Sequence, residues 1–588
     1  MLVLAGPGSG KTAVITGRIL SLIKDRGIPP EQILVITFSK AAASEMRQRF
    51  EKTGSFACAP VTFGTFHAIF FKIIREAYDY DTSDIISDHD KNLFLNDALH
   101  QEGITVNNGR EYREKLSSCI SMVRSGQSID KAALMLALTP DVLGRIIDRY
   151  CESLKNAGKI DFDDMMILCL KVFREREDIL KRWQERFRFI LIDEFQDINP
   201  PQYELVKMLA YPENNIFAVG DDDQAVYGFR GASPGLMFRF ERDFKGCRRA
   251  LLDINYRSGE EILNSASGLI SVNKERFRKR VRSFKGKGSV VKALHFETFE
   301  EEMNHICDTL ADRQRNGGNL HGIAILYRMN NQIRPLYNML ISRNIPCLIK
   351  EKQTDIFDHW IAEDIMAYLK ITDGSPDRSS FIRIINKPVR YISRDCFRSE
   401  KVALKDIYAA GSGRPYATEC LEKLERDIAF MRRLDVNARV KYIKNGVGYG
   451  QFLKDYSRAK NMDEAELLDI FSELSLSCRG LNSTEQWLDR IEELKTKQSG
   501  NKSSEKEGVE LMTFHRSKGL EFDTVFIIDA SEGYTPQNHA VTSTQIEEER
   551  RAFYVAVTRA RRELYICECS DRLGRETRPS RFIKEMGL

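Results

Sequence analysis

The sequence lacks the signatures of small metal-binding modules and of membrane proteins. Its twelve cysteines are scattered between Cys58 and Cys569, and no Cys-x-x-Cys pair occurs, which excludes the usual spacing of zinc and iron–sulfur ligands. There is no run of about 18 apolar residues, so a membrane-spanning helix is not expected. Scattered, reduced thiols are typical of cytosolic proteins, and we expect a cytoplasmic location.

What remains is an ordinary globular composition. The chain has 588 residues, of which 42% are hydrophobic and 30% are charged. This length is too great for one hydrophobic core, which predicts three or four domains. The net charge of +4 neither requires nor excludes a nucleic-acid partner, because the distribution of charge matters more than its sum.

A phosphate-binding loop lies close to the first residue. Leu2 to Ala5 is an apolar run that predicts a buried strand. Residues 6–12, with Ala5 in the first position, fit the phosphate-loop pattern [AG]-x-x-x-x-G-K-[ST], and apolar residues at helical spacing follow. In such a loop, backbone N–H groups surround phosphates at a helix N-terminus. Lys11 would reach the β- and γ-phosphates of ATP, and Thr12 would bind Mg²⁺. The other predicted nucleotide contacts are Gly6, Pro7, Gly8, Ser9 and Gly10.

Acidic residues follow a second predicted strand. The apolar run 189–192 ends in Asp193 and Glu194. Open α/β sheets bind their ligands at the carboxyl ends of the strands. Asp193 is therefore expected to bind Mg²⁺, and Glu194 to act as the general base for the attacking water. A further apolar run, 216–220, leads to Gln224, an uncharged donor and acceptor that suits γ-phosphate sensing.

Ten segments form an ordered series of motifs along the chain: "AGPGSGKT" (5–12), "ILVITFSKAAASEMRQRF" (33–50), "TFGTFH" (62–67), "IDFDDMM" (160–166), "LIDEFQD" (191–197), "VGDDDQAVYGFRGA" (219–232), "NYRS" (255–258), "AILYRMNNQIRPLYNML" (324–340), "MTFHRSKGLEFDTVFI" (512–527) and "EEERRAFYVAVTRAR" (547–561). Together these motifs resemble the superfamily 1 helicases of the UvrD, Rep and PcrA type. The resemblance covers most of the chain and implies an α/β fold with two RecA-like P-loop motor domains. It also implies ATP and Mg²⁺ in the cleft between them, and 3′ to 5′ travel along single-stranded DNA.

The resemblance assigns roles to further residues. It implies that Arg257 and Arg559 are arginine fingers that approach across the cleft from the second motor domain's side. It implies that Tyr256 stacks on adenine and that Glu521 lies in a segment that contacts the nucleotide. For the residues of the phosphate loop and the acidic strand, it implies the roles already given.

Aromatic side chains beside the ATP motifs are the candidate DNA track. A motor that moves along one strand needs aromatic platforms for bases and donors for phosphates. An aromatic residue near a strand end is more often part of the core, so only the resemblance raises these positions. It implies DNA contacts for Phe38, His67, Tyr227, Phe229 and His515. Phe229 stands where the family usually has tryptophan, and a phenyl ring stacks over a smaller area.

Each predicted motor domain carries a mostly helical insertion. The second insertion is shorter than in the well-known family members, and it lacks their Arg-Gly-Ile-Gly turn. That subdomain grips the duplex in the family, so duplex unwinding is a weaker expectation than translocation. The predicted domains are 1–80 and 159–283 for the first motor domain, 81–158 for its insertion, 284–393 and 508–588 for the second motor domain, and 394–507 for its insertion.

The expected function is a DNA-stimulated ATPase that moves on single-stranded DNA and unwinds 3′-tailed duplex DNA in repair, replication or recombination. Proteins of those processes are the expected partners. Two alternatives remain open: a translocase that strips proteins from DNA with little unwinding, and a non-motor DNA-binding scaffold. The complete set of catalytic residues argues against the scaffold.

Two local features leave further questions. The segment 274–287 holds eight basic residues and one acidic residue, which fits either a solvated linker or a contact with DNA phosphates. Only Met1 precedes the first predicted strand, where the family has a segment with a glutamine that reads adenine. Either the true start lies upstream, which we expect, or Tyr256 mainly holds the base. The first case predicts weak ATP binding and poor discrimination against GTP by these residues.

Overall fold

The computed structural model describes most of the chain. The described residues are 1–53, 60–104, 109–228, 231–350, 356–393, 397, 399–402, 415–460, 462, 464–501, 508–538 and 540–588. None of the helices in these ranges combines the length and the apolar character that crossing a bilayer requires.

The first sheet contains six parallel strands among the described residues. Their order across the sheet is β3-β2-β4-β5-β1-β6, which places the first strand between β5 and the edge strand β6. Every residue of β1, β2 and β5 is buried, as expected for parallel strands that helices cover on both faces. The strands are β1 (Leu2–Ala5), β2 (Ile33–Thr37), β3 (Thr62–Thr65), β4 (Phe189–Ile192), β5 (Ile216–Gly220) and β6 (Arg249–Leu252).

Helices cover both faces of this sheet and form two cores. Because side chains alternate along a strand, Leu2 and Leu4 contribute to one core, whereas Val3 and Ala5 contribute to the other. The helices around this sheet are α1 (Lys11–Lys24), α2 (Lys40–Glu51), α3 (Phe66–Ile74), α8 (Phe162–Glu175), α9 (Glu177–Arg186), α10 (Pro200–Ala210) and α11 (Gly235–Asp243).

A helical unit with its own core separates α3 from α8 in the chain. Its core residues, such as Leu95, Leu116 and Tyr150, all lie between residues 95 and 154. This core falls inside the predicted insertion 81–158. The helices of the unit are α4 (Asp88–Gln101), α5 (Gly109–Arg124), α6 (Ile129–Leu136) and α7 (Pro140–Asn156).

The second sheet repeats the architecture of the first. Its described strands are all parallel, in the order β11-β12-β10-β13-β14-β9. The predicted α/β class with two parallel-sheet domains is therefore confirmed. The strands are β9 (Val290–Thr298), β10 (Ile323–Tyr327), β11 (Cys347–Ile349), β12 (Val509–Thr513), β13 (Phe522–Ile527) and β14 (Ala560–Asp571).

The helices of the second sheet include one that the predicted boundaries assign to the first motor domain. Ile262 and Leu269 of α12 share a core with Phe553 of α22 and with residues of the second sheet. We therefore propose that the second motor domain begins near residue 253. The helices are α12 (Glu260–Ser271), α13 (Phe299–Arg315), α14 (Arg334–Ser342), α22 (Ser543–Val557) and α23 (Arg581–Glu585).

A second helical unit interrupts the second motor domain. One core extends from Ile356 to Trp487, so α15 and α16 belong to this unit rather than to the sheet. We propose that the insertion begins near residue 356 instead of residue 394. Its helices are α15 (Trp360–Thr372), α16 (Arg378–Ile384), α17 (Pro415–Met431), α18 (Val436–Asn445), α19 (Tyr449–Lys460), α20 (Glu464–Ser477) and α21 (Thr484–Asn501).

A small two-stranded sheet lies near the start of the second motor domain, on either side of α12 in the chain. Its parallel strands are β7 (Ile254–Asn255) and β8 (Arg282–Ser283). This pair flanks the phosphate loop, because Asn255 Nδ2 donates to Pro7 O at 2.5 Å.

Candidate functional site

The predicted phosphate loop joins β1 to α1 and is enclosed by its neighbours. Gly8 and Gly10 have φ angles of 62° and 82°, a backbone conformation that side chains disfavour. A Cβ atom on Gly8 would lie 2.7 Å from Cβ of Arg257. No side chain caps the N-terminus of α1, so its first N–H groups are left for a ligand. The loop therefore fits a chain of phosphates.

Lys11 and Glu194 form an ion pair at the mouth of the loop. Lys11 Nζ lies 2.8 Å from Oε1 of Glu194, and Gln196 donates a hydrogen bond to the same carboxylate. Burial opposes ionisation of Glu194, but the charges of Lys11 and Lys518 outweigh it and hold the pKa of Glu194 below its ordinary value. Glu194 is therefore ionised, as a general base must be, and loss of its ion pair with Lys11 to a phosphate would raise its pKa and make it a stronger base.

Asp193 has the properties of a metal ligand. It is buried at the end of β4, and its Oδ1 atom has no hydrogen-bond partner among the described residues. Burial, and then the charge of Glu194, raise the pKa of Asp193 to about 7. A buried carboxylate oxygen without a donor is a suitable ligand for Mg²⁺. Thr12, the other predicted ligand, is half-buried in the first turn of α1.

Gln224 and Arg559 meet between the two sheets. Gln224 lies in a 3₁₀ turn after β5, and its Nε2 donates to Asp221 Oδ2 at 2.6 Å. Arg559 lies between α22 and β14, and its Nη2 donates to Gln224 Oε1 at 3.2 Å. Two residues predicted to contact the γ-phosphate therefore approach each other from different motor domains.

Arg559 is a buried cation whose partners are all uncharged. It is 1% exposed, and within the described ranges no carboxylate forms an ion pair with it. Burial, and then the neighbouring charge of Arg257, lower the pKa of Arg559 to about 9. An anion beside it would relieve this electrostatic penalty, which fits the terminal phosphate of a nucleotide. Its acceptors are Val555 O, Leu520 O, Thr558 Oγ1 and Gln224 Oε1.

Arg257 is held by Glu521 of the second motor domain. Its Nε atom lies 2.6 Å from Glu521 Oε2, and its Nη1 donates to Thr558 O at 3.1 Å. Arg561 binds the other oxygen of Glu521. Burial opposes ionisation of Glu521, but its hydrogen bonds to the two arginines lower its pKa to about 2. Arg257 and Glu521, to which the resemblance gave separate nucleotide contacts, therefore form an ion pair with each other.

Lys518 belongs to the same cleft, although the sequence analysis did not select it. Its Nζ atom donates to Gln224 O at 2.8 Å, pairs with Asp197, and lies 3.7 Å from Glu194 Oε2. Lys518 follows β12 in the second motor domain, whereas these three partners belong to the first. The segment 512–527 that carries the resemblance contains it, but its partners are distant in sequence and no local pattern marks it.

Three predicted DNA residues form one aromatic cluster across the cleft. The rings of Phe38 and Tyr227 are stacked, with centroids 4.7 Å apart and an interplanar angle of 19°. The ring of His515 lies 6.4 Å from that of Tyr227, and Lys518 Nζ lies 5.2 Å from the Tyr227 centroid. This cluster therefore touches the same lysine as the nucleotide residues.

His67 lies in a second aromatic contact, with Phe162 at the start of α8. The ring centroids are 5.1 Å apart and nearly perpendicular, and the Phe162 side chain is exposed. Burial lowers the pKa of His67 while Asp161 opposes this shift, so the imidazole is neutral at neutral pH. The sequence analysis missed Phe162. Phe229 lies outside the described residues and stays a prediction.

Tyr256 lies beside the phosphate loop, where a base-stacking residue is expected. Its backbone N–H donates to Gly8 O at 3.0 Å, and its side chain is 52% exposed. The ring is therefore attached to the loop through the backbone while remaining accessible to a ligand.

Two residues of the basic segment 274–287 are held in ion pairs, so these two are not part of a solvated linker, whereas contact of the segment with DNA phosphates stays a prediction. The Lys279 side chain is 1% exposed and contacts Asp221, Asp222 and Asp223. Arg276 pairs with Asp223 at 2.7 Å. The three carboxylates are close enough to hold a metal ion, but Lys279 already supplies their cation. These two residues therefore attach the segment to the first motor domain.

Comparisons with known proteins agree with this geometry. Residues 1–245 match the UvrD/REP helicase N-terminal domain, and residues 250–410 and 414–571 match the UvrD-like helicase C-terminal domain. The ATP-dependent DNA helicase Rep of Escherichia coli (strain K12) is 32% identical over 621 residues, which cover 100% of this chain and 91% of Rep. The ATP-dependent DNA helicase PcrA of Staphylococcus aureus (strain Mu50) is 30% identical over 617 residues, covering 100% of this chain and 84% of PcrA. The candidate ATP-dependent DNA helicase YjcD of Bacillus subtilis (strain 168) is 29% identical over 609 residues, which cover 99% of this chain and 78% of YjcD.

Proposed function

The chain belongs to the UvrD/Rep family of ATP-dependent DNA helicases, and we propose that it moves 3′ to 5′ along single-stranded DNA and unwinds 3′-tailed duplexes. The contact between Gln224 and Arg559 carries this proposal, because it joins the candidate γ-phosphate residues of two separate sheets. A ligand that binds between such residues changes the relative position of the domains that hold them.

The chain uses a nucleotide, as its family does, and the proposed form is ATP with Mg²⁺. Lys11 and the backbone of residues 6–10 would hold the phosphates, Thr12 and Asp193 would bind the metal, and Tyr256 would contact the base. When bound, Mg²⁺ polarises the phosphate oxygens and ATP supplies the free energy for movement. The orphaned Oδ1 atom of Asp193 and the uncompensated charge of Arg559 support this fit.

Each charged or polar side chain of the cleft has a separate role in ATP hydrolysis. Glu194 orients water and accepts its proton, while Lys11 exchanges its ion pair with Glu194 for a contact with phosphate. Gln224 and Arg559 face the position where negative charge develops, and a preorganised guanidinium there stabilises the transition state. Arg257 is the second candidate finger, which Glu521 holds in place.

The DNA track is proposed to run along the aromatic residues. Phe38, Tyr227 and His515 would stack on bases, and His67 with Phe162 would form a second platform. Tyr227 follows Gln224 by one short turn, so a shift of Gln224 on hydrolysis is transmitted to the stack. Lys518 contacts both groups and supports this coupling.

The direct test combines two assays on the wild-type chain. We expect single-stranded DNA to stimulate ATP hydrolysis, and we expect strand displacement from duplexes with a 3′ tail but not from duplexes with a 5′ tail. If single-stranded DNA did not stimulate ATP hydrolysis, the proposal that the chain is a DNA motor would be refuted. Displacement from 5′-tailed duplexes alone would refute the direction.

A second candidate function is a translocase that strips proteins from DNA with little unwinding. The second insertion lacks the Arg-Gly-Ile-Gly turn, and in the segment "PVRYISRDC", where that turn is expected, Tyr391 is exposed and has a φ angle of 55°. Displacement of streptavidin from biotinylated single-stranded DNA without strand separation would favour this function. Strand separation at a matching rate would favour the helicase.

The location and partners belong to the same proposal. Ten cysteines of the described residues are free thiols, which supports a reducing compartment such as the cytoplasm. Repair or replication proteins are the proposed protein partners. A pull-down of the chain with repair and replication proteins on 3′-tailed DNA tests the proposed partners. If none of these proteins is recovered with the chain, the proposal is contradicted.

A further inference from the structure

An exposed phenylalanine accompanies Tyr256 at the edge of the nucleotide cleft. The side chain of Phe284 is 71% exposed, although a phenyl ring has no polar group that benefits from water. Its centroid lies 5.1 Å from that of Tyr256, with an angle of 42° between the planes. No sequence motif marks Phe284.

The small parallel sheet determines this pairing. Asn255 of β7 is in register with Ser283 of β8, so the next residues on the two strands, Tyr256 and Phe284, lie side by side. Phe284 N donates to Asn255 O at 2.8 Å, which holds the backbone at this point. The neighbouring residue is also attached, because Lys285 Nζ donates to Arg257 O at 2.6 Å. The exposed ring therefore belongs to an anchored strand end.

The aromatic pair is attached to the phosphate loop. Tyr256 N donates to Gly8 O at 3.0 Å, while Val281, just before β8, lies against Gly6 so closely that a Cβ there would be 2.7 Å from its Cγ2 atom. The two chain segments that form the small sheet thus both contact the loop. The two rings are therefore attached to the phosphate loop through their backbones.

The chemistry of the pair fits a nucleobase. Tilted rings in contact form one continuous aromatic wall, and a centroid distance of 5.1 Å leaves no space for a base between them. A base can stack only on their outer faces, which exposed fractions of 71% and 52% leave accessible. A phenyl ring has no hydrogen-bonding group, so it cannot distinguish adenine from guanine.

We propose that Phe284 joins Tyr256 in a two-ring stacking surface for the nucleobase, to which Phe284 contributes stacking but no selection between purines. This inference rests on the proposed ATP site and adds a residue that specifies how the base is held. Phe284 touches the base but takes no part in bond breaking.

Calorimetric binding of three ligands in the presence of Mg²⁺ tests the surface. The ligands are the non-hydrolysable analogues AMP-PNP and GMP-PNP, and inorganic tripolyphosphate, which has no base. Phe284→Ala should weaken binding of both analogues about tenfold, as expected for losing one aromatic stacking partner, and leave tripolyphosphate affinity within about twofold of wild type. Phe284→Trp should retain the affinity for both analogues.

The control is Tyr416→Ala, which removes another exposed aromatic side chain, on α17 of the second insertion. It should bind all three ligands as the wild type does. Wild-type affinity of Phe284→Ala for AMP-PNP would overturn the stacking surface while leaving the ATP site intact. A wild-type chain that binds neither AMP-PNP nor tripolyphosphate would overturn both proposals.

Discussion

Two buried arginines flank β14, and their surroundings differ completely. Arg559 precedes the strand and donates only to uncharged oxygens, so burial lowers its pKa to about 9. Arg572 follows the strand and binds both oxygens of Asp529 at 2.8 and 2.9 Å, so its pKa rises despite burial. Arg559 therefore forms no ion pair with a carboxylate of the described residues, whereas Arg572 is paired with Asp529.

Arg572 is a structural joint, by which we mean a residue that holds the second motor domain and its insertion together. Its guanidinium lies 4.5 Å from the ring centroid of Phe299 and 4.4 Å from that of Tyr534, and it also approaches Asp469 of the second insertion at 3.5 Å. It therefore binds the motor domain to its insertion. A buried cation with paired carboxylates stabilises the fold, whereas we propose that Arg559, which forms no ion pair with a carboxylate of the described residues, is available to a ligand.

The largest expected effect is on turnover. Arg559→Ala should lower kcat for DNA-stimulated ATP hydrolysis by about 10³-fold or more, because an arginine that stabilises transition-state charge has an effect of this size. The measurement is steady-state ATPase with saturating single-stranded DNA. Arg562→Ala, at an exposed position of β14, is the matched control and should remain active. A loss of less than tenfold in Arg559→Ala would contradict the assigned role.

The second effect is on stability. Arg572→Met should lower the free energy of unfolding by about 3–5 kcal/mol, because it leaves the Asp529 carboxylate buried without its partner. Adding Asp529→Asn should restore part of that loss. Urea unfolding of the single and double variants measures both quantities. If Arg572→Met unfolds at the wild-type urea concentration, Arg572 is not a structural joint.

The third effect depends on pH and concerns Glu302, which accepts a hydrogen bond from Asp529 N at 3.1 Å. Burial, and then the charge of Asp529, raise the pKa of Glu302 to about 8, with Glu568 acting in the same direction and Arg572 opposing. The folded state therefore keeps a proton that the unfolded state releases. Stability should fall as pH rises from the ordinary carboxyl range to about 8.

Glu302→Gln removes this titration. Its stability should match the wild type near pH 5 and exceed it at pH 9 by on the order of 2 kcal/mol. Urea unfolding at several pH values measures the difference, and Glu297→Gln, exposed on β9, is the control. Parallel pH profiles for wild type and Glu302→Gln would show that Glu302 is ionised in the folded protein.

The smallest effect concerns the segment 274–287, where the same contrast recurs among its cations. Arg276 and Lys279 are paired with aspartates, whereas Arg278 and Arg280 are exposed. Replacing both exposed arginines by alanine should reduce the slope of log affinity against log salt by about one unit for single-stranded DNA. An unchanged slope would show that this segment does not contact phosphates.

The sequence predicted those parts of the site that follow from local order in the chain. The phosphate loop, Asp193 and Glu194 each follow a buried strand, and parallel packing of β1 and β4 brings the ends of these strands to one edge. The pairing of Lys11 with Glu194 is a consequence of that geometry. The two-domain fold follows for the same reason, because apolar strands alternate with helices in both halves.

Other features depend on contacts between distant segments and could not be predicted. Lys518 resembles any other lysine until folding places it beside Asp197, and Phe284 gains meaning only from the register of β7 with β8. The boundaries of the second insertion could not be predicted either. The helical pattern of α15 fits the second motor domain and its insertion equally well, and only its packing places it in the insertion.

Thermal unfolding with and without Mg²⁺ and AMP-PNP tests the central claim, that Arg559 is a buried cation reserved for the nucleotide. Arg559→Ala removes a buried charge but also four hydrogen bonds and buried packing, so the measured quantity is the gain in unfolding temperature that the ligand produces in each chain. With saturating ligand the wild type should gain clearly more stability than the variant. A variant that gains as much as the wild type would contradict the account.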